Sequence, residues 1–283
     1  MAEAAPDQVY VGAVAAITSF ADGISSQGAP IVPPFEECKD AVAVLAEVKG
    51  VASNWINDVY PQLLEVPRTI VAQKEAVASG LATLISVAQQ LEANPGDAQL
   101  GEQFSKAAKE LGETVAPRVA EVHQLAAAVA GFAGAVNGGL GEACQRSCAE
   151  MGLREAALAN QRAQDEAVLQ SAREAFCPSE SEEEAAEAAL RSDGESIGQV
   201  TAFIEQMQGD VSLTQGAANG LAYATGKWQT LDAQAQAAIA TLEKIQSDPV
   251  GSLAVDLAAA QQGWIVFTEG LESIVEQAAA AAI

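Results

Sequence analysis

From Ile197 to Ile245, apolar residues recur at alternating intervals of three and four, and the pattern resumes from Leu253 to Ile274. Ile197, Val200, Ile204, Met207, Val211, Thr214, Ala218 and Leu221 keep this spacing. After a phase slip near Thr225 the series continues through Trp228, Leu231, Ala235, Ala238, Leu242 and Ile245. Such spacing lays one seam along one side of a long helix, to be covered by partner helices rather than by a sheet. At about 1.5 Å rise per residue, an unbroken helix here would reach roughly 75 Å, a rod rather than a compact globule. Alanine dominates and aromatics are 5% of the chain, which argues against a sheet core. The expected class is all-α, one elongated bundle across 1–283.

Pro and Gly clusters divide the chain into about five helical pieces. The first runs from Asp7 to Ala21 and ends in the loop Gly23 to Pro34. The second starts near Phe35 and repeats Val42, Leu45, Ala52, Ile56, Val59, Leu63, Val66, Ile70, Val77, Leu84, Ala88 and Leu91, with Pro61 and Pro67 expected to bend it. Asn94-Pro95-Gly96-Asp97 reads as a sharp turn with Asp97 as helix cap. The next stripe is Phe104, Ala108, Leu111, Val115, Val119, Val122, Leu125, Val129, Phe132, Val136 and Leu140, continuing through Glu142 to Glu174. Gly131, Gly134, Gly138, Gly139 and Gly141 weaken its middle by up to about 1 kcal/mol each relative to alanine, so a break or close crossing is expected there. Phe176 to Glu184 is the next reversal, with Ser181 and Glu184 as a capping box; the same Ser-Glu run also has the look of an acidophilic phosphorylation site. Ser247-Asp248-Pro249 opens the last helix, whose seam is Leu253, Leu257, Ala260, Trp264, Phe267, Leu271 and Ile274.

Composition excludes several function classes. A net charge of −24 with 14 Lys plus Arg leaves no basic track for phosphates, so nucleic acid is not an expected partner. The acidity serves solubility and opposes premature association of identical rods. Cys38, Cys144, Cys148 and Cys177 are too few for a disulfide framework, and the spacing of Cys144 and Cys148 suits neither a redox motif nor a zinc knuckle. Met1 to Asp7 lacks the basic start and cleavage pattern of a secretory signal. Val122 to Gly141 has no Asp, Glu, Lys or Arg, yet its Ala, Gly, His123, Gln124 and Asn137 make it a poor constitutive transmembrane helix. The spaced pairs Gly134 with Gly138 and Gly216 with Gly220 allow close helix crossing in lipid or in a soluble bundle.

No catalytic constellation stands out. The single histidine, His123, sits in an apolar helical stretch, where a packed or rim position is expected rather than a base or ligand. Phosphate-loop and dinucleotide motifs are missing, and one histidine cannot furnish a carboxylate-bridged metal bundle. No catalytic, cofactor-binding or metal residues are expected, no cofactor, and no enzyme.

The tryptophans sit in recognisable phrases: Ala52-Ser53-Asn54-Trp55-Ile56-Asn57-Asp58-Val59-Tyr60-Pro61-Gln62-Leu63-Leu64, Gly226-Lys227-Trp228-Gln229-Thr230-Leu231, and Ala258-Ala259-Ala260-Gln261-Gln262-Gly263-Trp264. With the Gln27 to Pro34 loop, these make the chain resemble the α-helical pore-forming toxins of the cytolysin A, haemolysin BL and non-haemolytic enterotoxin superfamily, over nearly its whole length. The resemblance implies a tail bundle of about five long antiparallel helices (7–140 and 197–281), with Trp55, Trp228 and Trp264 in its core. It also implies a head-proximal hairpin at about 142–196 and a small polar head at the 176–184 turn. Pore-inserting members carry a hydrophobic tongue at that tip. This chain instead has five Glu between Glu180 and Glu187, and burying such charge in hydrocarbon would cost several kcal/mol per residue.

The preferred expectation is therefore a soluble component of a multi-component toxin. It would be secreted or extracellular without a recognisable signal peptide, meeting partner toxin subunits and target membrane lipid in a hetero-oligomer, with a homo-oligomer also open. The alternatives are insertion through Val9 to Phe20 or Val122 to Leu140, or a toxin-like bundle that has lost pore formation. Val122, Leu125, Val129, Phe132, Val136 and Leu140 are the candidate membrane or subunit contacts, and Pro61, Pro67, Gly131, Gly138 and Gly139 the candidate hinges. A non-toxin helical scaffold or adaptor fits heptads and acidity equally well. Amphipathic lipid carriage asks for more Lys at the helix edges.

Overall fold

The computed structural model of the chain describes residues 6–28, 38–174, 180–247 and 253–281, and no strand occurs among the described residues. The elements in order are α1 (Pro6–Ser26), α2 (Lys39–Asn54), a π-helical turn (Trp55–Val59), α3 (Tyr60–Ala72), α4 (Lys74–Ala93) and α5 (Ala98–Gly134). A second π-helical turn (Ala135–Leu140), α6 (Gly141–Glu174), α7 (Glu180–Ser247) and α8 (Leu253–Ala281) complete it. The protein is all-α, as its periodicity requires. Two compact units form. One comprises Met1–Thr18, Asn54–Ala133 and Asn219–Ile283, the other Ser19–Ser53 and Gly134–Ala218.

The first unit is built on large aromatics. Trp55, Trp228, Trp264 and Phe267 are fully buried, and withdrawing each such side chain from water contributes about 1.5–3 kcal/mol. Trp55 packs on Phe132 with ring centroids 4.7 Å apart, and its indole N–H donates to Thr18 Oγ1 at 3.3 Å. Trp228 donates to Tyr10 Oη at 3.1 Å; burial pushes that hydroxyl well above its ordinary pKa. Helices α4 and α8 run antiparallel, since Lys74 pairs with Glu272 at 2.8 Å near one end and the Ala254 N–H donates to Glu92 Oε1 near the other. A Cβ on Gly220 would lie 2.9 Å from the Ala13 carbonyl oxygen, so glycine is what lets α7 approach the α1 backbone there. Asp97 caps α5, its Oδ1 accepting from the N–H groups of Gln99 and Leu100.

In the second unit Phe20, Ile24, Leu45, Val48, Leu140, Phe203 and Met207 are buried. Helices α6 and α7 run antiparallel: Gly141 faces Thr214, Glu155 accepts from the Thr201 hydroxyl at 2.7 Å, and Arg173 meets Glu187 at 2.8 Å.

The α5 stripe from Phe104 to Leu140 is buried at every position read from the sequence. The α7 seam differs. Its buried residues are Val200, Phe203, Met207, Asp210, Thr214, Ala217, Leu221, Ala224, Trp228, Leu231, Ala235 and Ala238, an unbroken alternation of three and four. No slip exists near Thr225. Ile204, Val211 and Ala218 flank this seam half-buried. A pattern that admits no acid at a core position selects them in place of Phe203, Asp210 and Ala217.

The glycine-rich middle does not break. It passes from α5 to α6 through the second π-turn. Pro67 lies inside a continuous α3, and the chain bends by 42° at the break between α3 and α4, where Gln73 sits at the edge of the helical region at φ −97, ψ −2. Ser181 already lies within α7. Residues 176–179 of the expected polar head, Cys177 among them, the Ser247-Asp248-Pro249 turn beyond Ser247, and the Ala29 to Pro34 part of the first loop lie outside the described residues, as do the side chains of Leu242, Ile245 and Leu253.

Candidate functional site

Two stretches carry the features expected of a toxin component. The first is the glycine-rich passage from α5 into α6. Val122, Leu125, Val129 and Phe132 in the first unit, and Val136 and Leu140 in the second, are all buried. The exposed residues are His123, Gln124, Ala127, Gly131, Gly134, Asn137 and Gly138, and a Cβ on any of these three glycines would meet nothing within 4 Å. The continuous helix Ala98–Glu174 holds an 18-residue window apolar enough to cross a membrane, and 39% of that window is buried. The side chains expected from the sequence to meet lipid or a partner are thus turned into the protein. Only their repacking would present them.

The second stretch is the outer part of the α6–α7 hairpin. Between Gly152 and Gln199, Leu169 and Ala186 are the only buried residues among those described. The seam is mixed: Glu155, Asp165 and Asp193 are half-buried along it together with Leu158, Leu190 and Ile197. Partial burial, then a hydrogen bond and the charge of Asp165, hold Asp193 above the usual carboxylate range, against a smaller pull from Arg162. Leu153 and Val168 project outward at 76% and 57% exposure. Among the described residues of the hairpin these are the two large apolar side chains left exposed.

The candidate hinges fall in different settings. Pro61 opens α3 directly behind the first π-turn, whose widened bonding runs from the Tyr60 N–H to Trp55 O. Proline has no N–H to continue an α-helical ladder, so a wide turn ahead of it is a natural accommodation. Gly138 and Gly139 lie within the second π-turn and Gly131 within α5. Pro67 is buried.

His123 sits at the rim, its Nδ1 3.0 Å from Asp232 Oδ2, with 61% of the side chain exposed. Cys38 and Cys144 are buried, Cys148 is half-buried, and none of the three forms a disulfide. Burial, then the Asp210 charge, pushes the Cys144 thiol up to about 12 and raises Cys148 as well, which keeps both unreactive. Among the described residues no group of three or more His, Cys, Asp or Glu is placed to hold a metal.

One cluster escapes the sequence reading. Asp210, at 1% exposure, accepts from Gln27 Nε2 at 2.6 Å, while Lys49 Nζ donates to the carbonyl oxygens of Gln27 and Gly28 at 3.0 and 2.8 Å. Its one signal in the sequence is an acid falling in the three-and-four register of α7.

The sequence matches no protein-family model and none of the curated proteins. The fold is nevertheless shared with solved structures, among them a component of a tripartite alpha-pore forming toxin. The soluble AhlC of the tripartite alpha-pore forming toxin AHL from Aeromonas hydrophila is similar at a TM-score of 0.61 and 14% identity, over 93% of this chain and 97% of that one. XaxA from Xenorhabdus nematophila is similar at 0.68 and 11%, over 97% and 98%. YaxA from Yersinia enterocolitica is similar at 0.58 and 10%, over 97% and 96%.

Proposed function

We propose that this chain is a soluble component of a multi-component α-helical pore-forming toxin, acting outside the producing cell and assembling with partner subunits on a target membrane. The observation that carries this reading is the likeness to soluble AhlC, a component of a tripartite toxin, across 93% of this chain. The polar hairpin supports it. Ionised residues in hydrocarbon cost several kcal/mol each, so the Glu-rich start of α7 stays in water and the chain depends on another subunit to begin the pore. The buried face from Val122 to Leu140 is the surface exchanged for lipid or a partner subunit, with Pro61, Pro67, Gly131, Gly138 and Gly139 as the points that yield. Charge repulsion at −24 keeps the free chains apart until then.

Dye release from phosphatidylcholine–cholesterol vesicles tests the proposal. The chain alone is expected to release little, and the chain mixed with the helical products of genes flanking its own to release the dye fully. Full release by the chain alone would make it the inserting subunit. No binding and no release with any flanking product would leave a helical scaffold.

A further inference from the structure

The buried cluster in the second unit has an unusual balance of donors and acceptors. Asp210 Oδ1 accepts from Gln27 Nε2 at 2.6 Å, yet Asp210 Oδ2 and Gln27 Oε1 are both buried with no partner. The two orphan atoms belong to the same two side chains. As a carboxylate, Asp210 has only acceptors to offer, so neither orphan can satisfy the other. One proton resolves both.

The surroundings favour that proton. Facing Asp210 are Gln27 just past the end of α1, Lys49 from α2, Cys144 and Cys148 from α6, and on α7 Thr214, whose hydroxyl donates to the Asp210 backbone carbonyl at 2.7 Å. Cys144 and Cys148 are neutral thiols. Lys49 is the sole cation of the group, and its ammonium is engaged by the carbonyl oxygens of Gln27 and Gly28 at the negative end of the α1 dipole. Among the described residues no charged donor touches the carboxyl. A carboxylate buried without one is driven to neutralise.

We propose that Asp210 and Gln27 form a proton-dependent latch, a reciprocal carboxylic acid–carboxamide pair in which Asp210 Oδ2–H donates to Gln27 Oε1 while Gln27 Nε2–H donates to Asp210 Oδ1. The latch ties the C-terminal end of α1 to α7 within the second unit. It closes when a proton from solvent binds and loosens when that proton leaves. Burial raises the Asp210 pKa above its ordinary value, with the Gln27 hydrogen bond and then Lys49 opposing. Because the folded form binds the proton more tightly than the unfolded chain, the latch contributes fully below the ordinary Asp pKa of about 3.9 and is lost as pH rises through the folded value. The direction is the reverse of an ordinary carboxylate salt bridge. A rise in pH, not a fall, opens it.

The test uses the full chain with Asp210→Asn, which offers Nδ2–H to Gln27 Oε1 and Oδ1 to Gln27 Nε2 without titrating. Amide exchange of residues 19–28, corrected for intrinsic rates, is compared from pH 4 to 9. Wild-type protection relative to Asp210→Asn is expected to fall by up to about tenfold per pH unit between the ordinary Asp pKa and the raised folded one, and to level off above it, while the variant stays flat. Infrared difference spectra at mildly acidic pH should show a protonated-carboxyl band in the wild type that Asp210→Asn lacks. Lys49→Met, which removes the nearest positive charge, should move the loosening to higher pH. An identical pH profile in wild type and Asp210→Asn, or no such band, would overturn the latch and leave Asp210 an ionised structural residue.

Discussion

The aromatic core of the first unit and the outer α6–α7 hairpin of the second are both helix against helix, yet they are filled in opposite ways. One closes over Trp55, Trp228, Trp264 and Phe267. The other buries only Leu169 and Ala186 among its described residues and puts Glu155, Asp165 and Asp193 along its seam. Apolar burial holds the first whatever the pH or salt, whereas the hairpin leans on neighbouring structure and on polar contacts worth little each. A heptad pattern thus fixes where a helix turns its face but not how firmly it is held. Under the proposed function the contrast divides labour too: the hairpin is suited to water and the apolar stripe of α5 is held in reserve.

The largest expected effect lies in the aromatic core. Trp228→Ala should cost about 3–5 kcal/mol in chemical denaturation, since it also abandons the Tyr10 hydroxyl. Leu169→Ala in the hairpin should cost about 2 kcal/mol, the low end for leucine, because a site covered by so few side chains collapses easily. If the two costs came out equal, the contrast in packing would be gone.

Glycines sharpen the comparison. Gly220→Ala forces a Cβ against the Ala13 backbone and should destabilise by about 1–3 kcal/mol. Gly194→Ala in the hairpin meets nothing within 4 Å and should stabilise by about 0.5–1 kcal/mol through helix propensity alone. Thermal melts of the two variants would read opposite signs.

The smallest effect concerns charge. With its pKa raised, Asp193 favours the hairpin when protonated, and that contribution fades as pH rises through the folded value. Asp193→Asn should therefore raise amide protection across the hairpin at neutral pH and flatten its pH dependence. A variant exchanging as the wild type does at every pH would remove the carboxyl pair from the account of the seam.

The helical class, the α5 stripe and the α8 seam are legible in sequence because each apolar residue keeps one face over several turns. The register of α7 is not, since Asp210 and Ala217 hold core positions that hydrophobicity alone does not mark, and Val211 and Ala218 beside them look at least as apolar. Composition points to Pro61 and Pro67 for the bend that falls at Gln73, because a proline is visible in sequence and a local backbone departure is not. The π-turns depend on bonding five residues back, which leaves no compositional trace beyond a following proline or a glycine pair. The latch joins residues 183 positions apart, and no local pattern connects them.

Amide exchange on vesicles, with the partner subunits present, compares the two decisive stretches in one experiment. On assembly, residues 154–174 and 180–196 should keep exchanging with solvent, while 122–140 should change protection as its apolar face finds a new neighbour. Strong lipid-dependent protection of the hairpin with 122–140 unchanged would contradict the proposal, because the charged element would then be the one that enters the membrane.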